Sequence, residues 1–315
     1  MSLVSGELIA VYQGEGQTAR TLKLFLAPKV KHSRFCQRLL CEDGSELSDD
    51  AKLLPFMNLQ LVLLQFWCDS EQAQEQLIQA CKVDDIDRVE MLLCKPLDPN
   101  MIDEKCAWTA LHFAAWYGSS KCVALLLTAG AETDQVANLV GEGVVPLHLA
   151  AERGHSEIVG LLLEAKANND PRTYHGFTPL TLAARFGHVQ VVSLLVGVSK
   201  NLDAITTDLG TTALHLSVQG GHLEVVQLLL DARACKDKVS RARGLTPLHL
   251  AAMCGHFKVT QLLVEAGANL KKPALDTGEL PLHFAIQQGH IGVVELLSSQ
   301  KHHLSHRSTM LEKRL

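Results

Sequence analysis

Histidine and cysteine are the side chains here most able to ligate a metal or act as acid, base or nucleophile. The sequence holds 15 histidines and 9 cysteines among 315 residues. A tetrahedral metal site needs about four such ligands converging on one point, so spacing decides what they can do. No two cysteines form a C-x-x-C pair, and Cys36 and Cys41 are the nearest neighbours. Scattered thiols of this kind are small apolar core residues of a reducing compartment, so a cytoplasmic or nuclear protein is expected. Ten histidines recur at two fixed positions. His112, His148, His215, His249 and His283 close a short Ala/Pro-Leu-His motif, and His155, His188, His222, His256 and His290 follow a glycine. One residue of each kind per recurrence is poor geometry for a metal centre, so a structural use is expected and no metal site. His302, His303 and His306 have no cysteine or carboxylate at fixed spacing. Gly14-Glu15-Gly16 lacks the lysine and the rest of a phosphate loop. No Ser/His/Asp or Cys/His arrangement stands out, so neither catalysis nor a cofactor is expected.

The pattern that carries those histidines is an internal repeat. The segments WTALHFAAWYG, VPLHLAAERGH, FTPLTLAARFGH, TTALHLSVQGGH, LTPLHLAAMCGH and LPLHFAIQQGH are versions of one motif. Their opening residues are Thr109, Val145, Thr178, Thr212, Thr246 and Leu280, at spacings of roughly 36, 33, 34, 34 and 34 residues. Each unit continues with an apolar stripe such as Leu125-Leu126-Leu127 or Leu228-Leu229-Leu230. Apolar residues at helical spacing on two short segments predict two helices per unit, each buried on one side. The glycine after the first helix suits a left-handed cap, and the glycine two residues before the opening position suits a tight hairpin. These motifs resemble ankyrin repeats over roughly 75–298, a family with about 33 residues per unit. That resemblance implies histidines hydrogen-bonding backbone between adjacent hairpins. It also implies a stacked solenoid, because one unit cannot bury its apolar face alone. Residues 72–104, with LIQACKVDDIDRVEMLL and no TPLH, read as an N-terminal capping repeat, 105–298 as six repeats, and 299–315 as a tail. Asp276-Thr277-Gly278 has the order of the aspartic-protease triplet, but Gly278 stands at a hairpin-turn position and no second triplet exists.

The first 68 residues have another texture. Thr18–Leu26 predicts a helix capped by Thr18 and stopped before Pro28. Phe35–Leu40 and Leu59–Leu64 read as strands, with Asp43-Gly44 as a turn signal. QRLLCEDGSELSDDAKL followed by NLQLVLLQF resembles a ubiquitin-like β-grasp domain. The expected fold class is therefore α+β, a ubiquitin-like β-grasp over 1–68, followed by an α-helical ankyrin-repeat solenoid. The match departs from that family where little sequence precedes Ser5-Gly6-Glu7 for a first strand, and where no Gly-Gly follows Phe66 and Trp67.

Net charge of −5 argues against a nucleic-acid partner, and the basic cluster around Lys301 and Arg307 reads as a solvated end. The longest apolar run is interrupted by Asn58, Gln60 and Gln65, so no membrane span is expected, and without a basic region followed by an apolar stretch at the start, secretion is not expected. In ankyrin-like proteins, partners contact the hairpin tips and the exposed ends of the first helices. Those positions carry Trp108, Trp116, Tyr117, Phe177, Arg185, Phe186, Leu245 and Met253, which become the candidate partner-binding residues. Aromatic residues and arginine dominate binding hot spots. The extra residues in the hairpin of Gln135–Gly143 adjoin this set. The surface is open to a protein partner, to cover by the N-terminal domain, or to a second copy, with a monomer expected. The leading reading is a concave platform for a protein partner. Its alternative is an adaptor in ubiquitin-dependent turnover, with the N-terminal domain recruiting degradation machinery.

Overall fold

A computed structural model describes residues 18–30, 34–41, 45–53, 59–63, 71–95, 97–138 and 142–299. The chain divides into two compact units, Met1–Leu139 and Val140–Leu315. The first unit opens with α1 (Ala19–Val30), a 3-10 turn over Arg34–Cys36, and an antiparallel pair of β1 (Gln37–Leu40) and β2 (Gln60–Leu63), with Gln37 opposite Leu63. Leu22 and Leu26 of α1, Leu39 of β1, and Leu53, Leu59 and Leu61 form one buried cluster. Period-two alternation sends Leu39 and Leu61 to that cluster from paired positions. Of the expected β-grasp, the helix and two strands are present. Ser5-Gly6-Glu7, Gly14-Glu15-Gly16, Asp43-Gly44 and Phe66-Trp67 lie outside the described residues, as do the tail from residue 300 and residues 139–141 of the long hairpin.

Two local expectations are corrected. The helix does not stop before Pro28 but runs to Val30. A proline so near a helix end removes only one intrahelical donor, the N–H that would reach the Leu24 carbonyl. Phe35 and Cys36 belong to the 3-10 turn rather than to β1. Their neighbour Arg34 lies nearly buried, fixed by the ion pairs described below.

Helix pairs follow. In the first unit they are α2 (Glu71–Lys82) with α3 (Ile86–Leu93), and α4 (Ala110–Tyr117) with α5 (Ser120–Thr128). The second unit holds α6 (Pro146–Arg153) with α7 (Ser156–Glu164), α8 (Pro179–Phe186) with α9 (Val189–Val196), and α10 (Ala213–Gln219) with α11 (Leu223–Asp231). It continues through α12 (Pro247–Cys254) and α13 (Phe257–Glu265) to α14 (Pro281–Gln287), with residues 291–299 also helical. First helices stack on first helices (α6 on α8, α8 on α10, α10 on α12, α12 on α14), and α7, α9, α11 and α13 stack behind them.

Local chemistry sets the helix ends. Thr178, Thr212 and Thr246 are N-caps whose hydroxyls accept the N–H three residues on. Gly154, Gly187 and Gly255 end their helices in the left-handed conformation. A β-carbon at Gly255 would stand 2.6 Å from the His290 ring, so glycine serves both the turn and the approach of the next repeat. The recurring leucines Leu147, Leu180, Leu214 and Leu248, with Ala150-Ala151 and Ala251-Ala252, are buried in the stack.

Candidate partner-binding surface

The frame histidines are structural cross-links between repeats. In the first set, Nδ1 accepts the N–H of the capping residue, from Val145 to His148 at 3.2 Å, Thr212 to His215 at 3.3 Å and Thr246 to His249 at 3.1 Å. An acceptor at Nδ1 leaves the proton on Nε2. That Nε2 donates to the next hairpin, His148 to the Phe177 carbonyl at 3.1 Å, His215 to Leu245 at 3.1 Å and His249 to Glu279 at 3.2 Å. The second set reaches back to the preceding first helix. His188 donates to the Glu152 carbonyl at 2.8 Å, His222 to Arg185, His256 to Gln219 and His290 to Met253, each at 3.1 Å. Burial pushes the His148 and His215 imidazoles down to about 4, so both are neutral near pH 7. Thr181 breaks the series: its hydroxyl bonds back to the Thr178 carbonyl at 2.8 Å.

These bonds fix the tips and helix ends on which the candidates sit. In the second unit, Phe177 is held by its N–H on Thr173 Oγ1 at 3.1 Å and by its carbonyl, which accepts from Thr173 N–H at 2.9 Å. Neighbouring tips are tied backbone to backbone, Tyr174 N–H to Glu142, Thr207 N–H to His175 and Arg241 N–H to Leu209. Arg185, in the last turn of α8, lies with its guanidinium carbon 5.7 Å from the Phe177 ring centroid and 5.6 Å from that of Phe186. Phe186 is 46% exposed and stacks on His188 at 6.2 Å. Beside this group is a pocket of about 330 Å³, lined by Phe177, Arg185, Asp208, Leu209, Thr211, Leu216, Gln219 and Gly220. The backbone N–H of Leu209 leads the contacts that hold the Asp208 carboxyl below its usual range, so it is ionised. Met253 is half-buried at the end of α12.

Leu245 is corrected. It is only 4% exposed, because its N–H on Ser240 Oγ and its carbonyl on His215 hold it inside the stacked hairpins. It contributes packing rather than contact surface. Asp208 and Leu209 were not among the sequence candidates. Their position just before the hairpin glycine was the available signal, since tip residues there cannot all turn inward.

In the first unit, Trp108 and Trp116 are half-buried and meet edge to face, with centroids 5.7 Å apart. Trp108 also meets Phe113 at 5.1 Å, and the Lys82 ammonium lies 4.9 Å above Phe113. Tyr117 is 51% exposed. The N-terminal segment is fastened elsewhere, on α3. Arg34, 4% exposed, bridges Asp49 at 2.6 Å and Glu90 at 2.7 Å, and Arg38 donates to the Cys94 carbonyl. Lys23 also pairs with Asp49, at 2.7 Å.

The other chemistry-bearing residues have structural partners. Asp276 pairs with Arg243 at 3.1 Å, which holds its carboxyl low. The described cysteines are free thiols, and burial raises Cys254. Among the described residues, no three of His, Cys, Asp and Glu converge as a metal site, and no helix is long and apolar enough to cross a membrane.

A family model described as ankyrin repeats (3 copies) matches residues 77–173, 147–241 and 233–308. No curated protein matches the sequence. Among solved structures, the crystal structure of the human ASB11 ankyrin repeat domain is similar, with a TM-score of 0.63 and 26% identity. That match covers 70% of this chain and 96% of the other. With helix pairs, capped first helices and histidine cross-links in register with these matches, the chain belongs to the ankyrin-repeat family.

Proposed function

We propose that this chain binds a protein partner through its hairpin tips and first-helix ends. Ankyrin repeats are interaction modules and are not typically catalytic. The contact residues in this reading are Trp108, Trp116 and Tyr117 in the first unit, and Phe177, Arg185, Phe186 and Met253 in the second. The observation that carries it is Arg185 on the faces of Phe177 and Phe186, at the rim of a 330 Å³ pocket. Framework side chains are apolar because they pack. Phe186 and Tyr117 are large, exposed and outside that framework, which is what an interaction patch requires. In this reading the N-terminal segment serves as a cap on α3 through Arg34 and Glu90, within the same binding module.

The test is quantitative capture from cell lysate with the intact chain and with Trp116→Ala, Phe186→Ala and Gln190→Ala, circular dichroism confirming each fold. Gln190 is exposed on the second-helix side and serves as the control. Partners lost with Phe186→Ala or Trp116→Ala but kept with Gln190→Ala support the reading. Equal capture by all four chains refutes it.

A further inference from the structure

Arg185 differs from the other arginine of this unit that lies over a phenylalanine. The Arg243 guanidinium is 5.9 Å from the Phe284 ring centroid, and its Nε bonds the Asp276 carboxylate at 3.1 Å. The chain supplies that cation with its own anion. Arg185 also lies over phenyl rings, yet among the described residues its guanidinium makes no hydrogen bond or ion pair. Its backbone is meanwhile fixed by the His222 bond to its carbonyl. Two phenyl rings flank the planar group; its charge is felt at the Glu152 carboxyl, which it lowers, but its fork of five N–H donors makes no bond there and is open to an outside acceptor.

We propose that Arg185 receives a carboxylate side chain of the protein partner, while the adjoining pocket takes the apolar residue next to that carboxylate. The proposal rests on the protein-binding reading above and names the partner's chemistry: a short acidic–apolar motif. Charge complementarity selects the acid, since a guanidinium fork pairs with a carboxylate through two parallel hydrogen bonds. Phe177, Leu209 and Leu216 form the apolar part of the pocket, alongside the polar Thr211 and Gln219 that complete its lining with the two charged residues and Gly220. Asp208, ionised on the same rim, fixes the direction of the motif. It repels an acidic side chain on its own side and can accept a backbone N–H of the bound segment. The acid therefore sits toward Arg185 and the peptide backbone toward Asp208.

The experiment is selection of a random peptide display library on the full chain, followed by fluorescence polarisation of the enriched peptides. Intact chain, Arg185→Gln, Arg185→Lys and Phe186→Ala are compared. The expected result is enrichment of Asp or Glu beside Leu, Ile, Val or Phe. Arg185→Gln should then weaken binding by about tenfold or more, with Arg185→Lys in between. Enrichment without acidic residues, no enrichment at all, or affinity unchanged by Arg185→Gln would each overturn the proposal. Loss with Phe186→Ala but not with Arg185→Gln would refute the acid preference while leaving the protein-binding reading in place. Because Arg185 is exposed, Arg185→Gln should keep the fold, which circular dichroism checks.

Discussion

Acidification should destabilise the second unit through two buried histidines. His148 and His215 have folded values of about 4, set first by desolvation, against 6.5 in their ordinary environment. A histidine depressed on folding is neutral in the native state and must be protonated to unfold at low pH. Its contribution is therefore complete above about pH 6.5, falls as the pH drops toward 4, and changes no further below that. The full loss is about 3 kcal/mol for each residue, of which about 2 kcal/mol has gone at pH 5. Protonation also places a second donor at Nδ1, facing the Val145 and Thr212 N–H groups that it accepts in the neutral form. The assay is urea unfolding at pH 7 and pH 5, for the intact chain and for a His148→Gln, His215→Gln double variant. The double variant should be less stable at pH 7, yet the intact chain should lose about 4 kcal/mol more than the variant between the two pH values. Glu152, raised chiefly by burial, shifts stability in the opposite direction, but it is present in both chains and cancels in the difference. Parallel losses, or imidazole NMR resonances of His148 and His215 that titrate near 6.5, would refute the reasoning.

Two further outcomes follow from the same contacts. Thr181→His should raise stability by about 1 kcal/mol at pH 7.5, by adding the missing Nε2–H bond from the third repeat to the Thr211 carbonyl. A urea midpoint at or below that of the intact chain would count against it. Glu90→Gln should loosen the N-terminal segment at a cost of about 2 kcal/mol, because it removes the carboxylate charge that the nearly buried Arg34 shares with Arg20. Hydrogen exchange read over residues 19–30 and 34–41 should quicken while α4 and α5 keep their protection, and unchanged exchange over these residues would refute it.

The sequence alone determined the helix pairs and the glycines that end the first helices, while the backbone-bonding use of the histidines followed from the resemblance to ankyrin repeats. The pairs and their ends depend on interactions within a few residues, as in the Gly187 and Gly255 N–H bonds to Ala183 and Ala251 four residues back, repeated in register so that each unit corroborates the next. Helix periodicity and a glycine requirement are likewise local, so they can be read along the chain. The tertiary structure decided matters that depend on which side chain arrives from a neighbouring element. Leu245 and Phe177 occupy the same frame position, yet one is buried and the other lies beneath an arginine, because the packing of adjacent hairpins differs. Arg243 finds Asp276 from the next hairpin while Arg185 has no such partner among the described residues, and composition cannot distinguish them. Arg34 reaches Glu90 across 56 residues of sequence, fastening the N-terminal segment to α3. Such an ion pair has no periodicity to announce it. It exists because folding brings two distant charges together where the guanidinium is almost shielded from water.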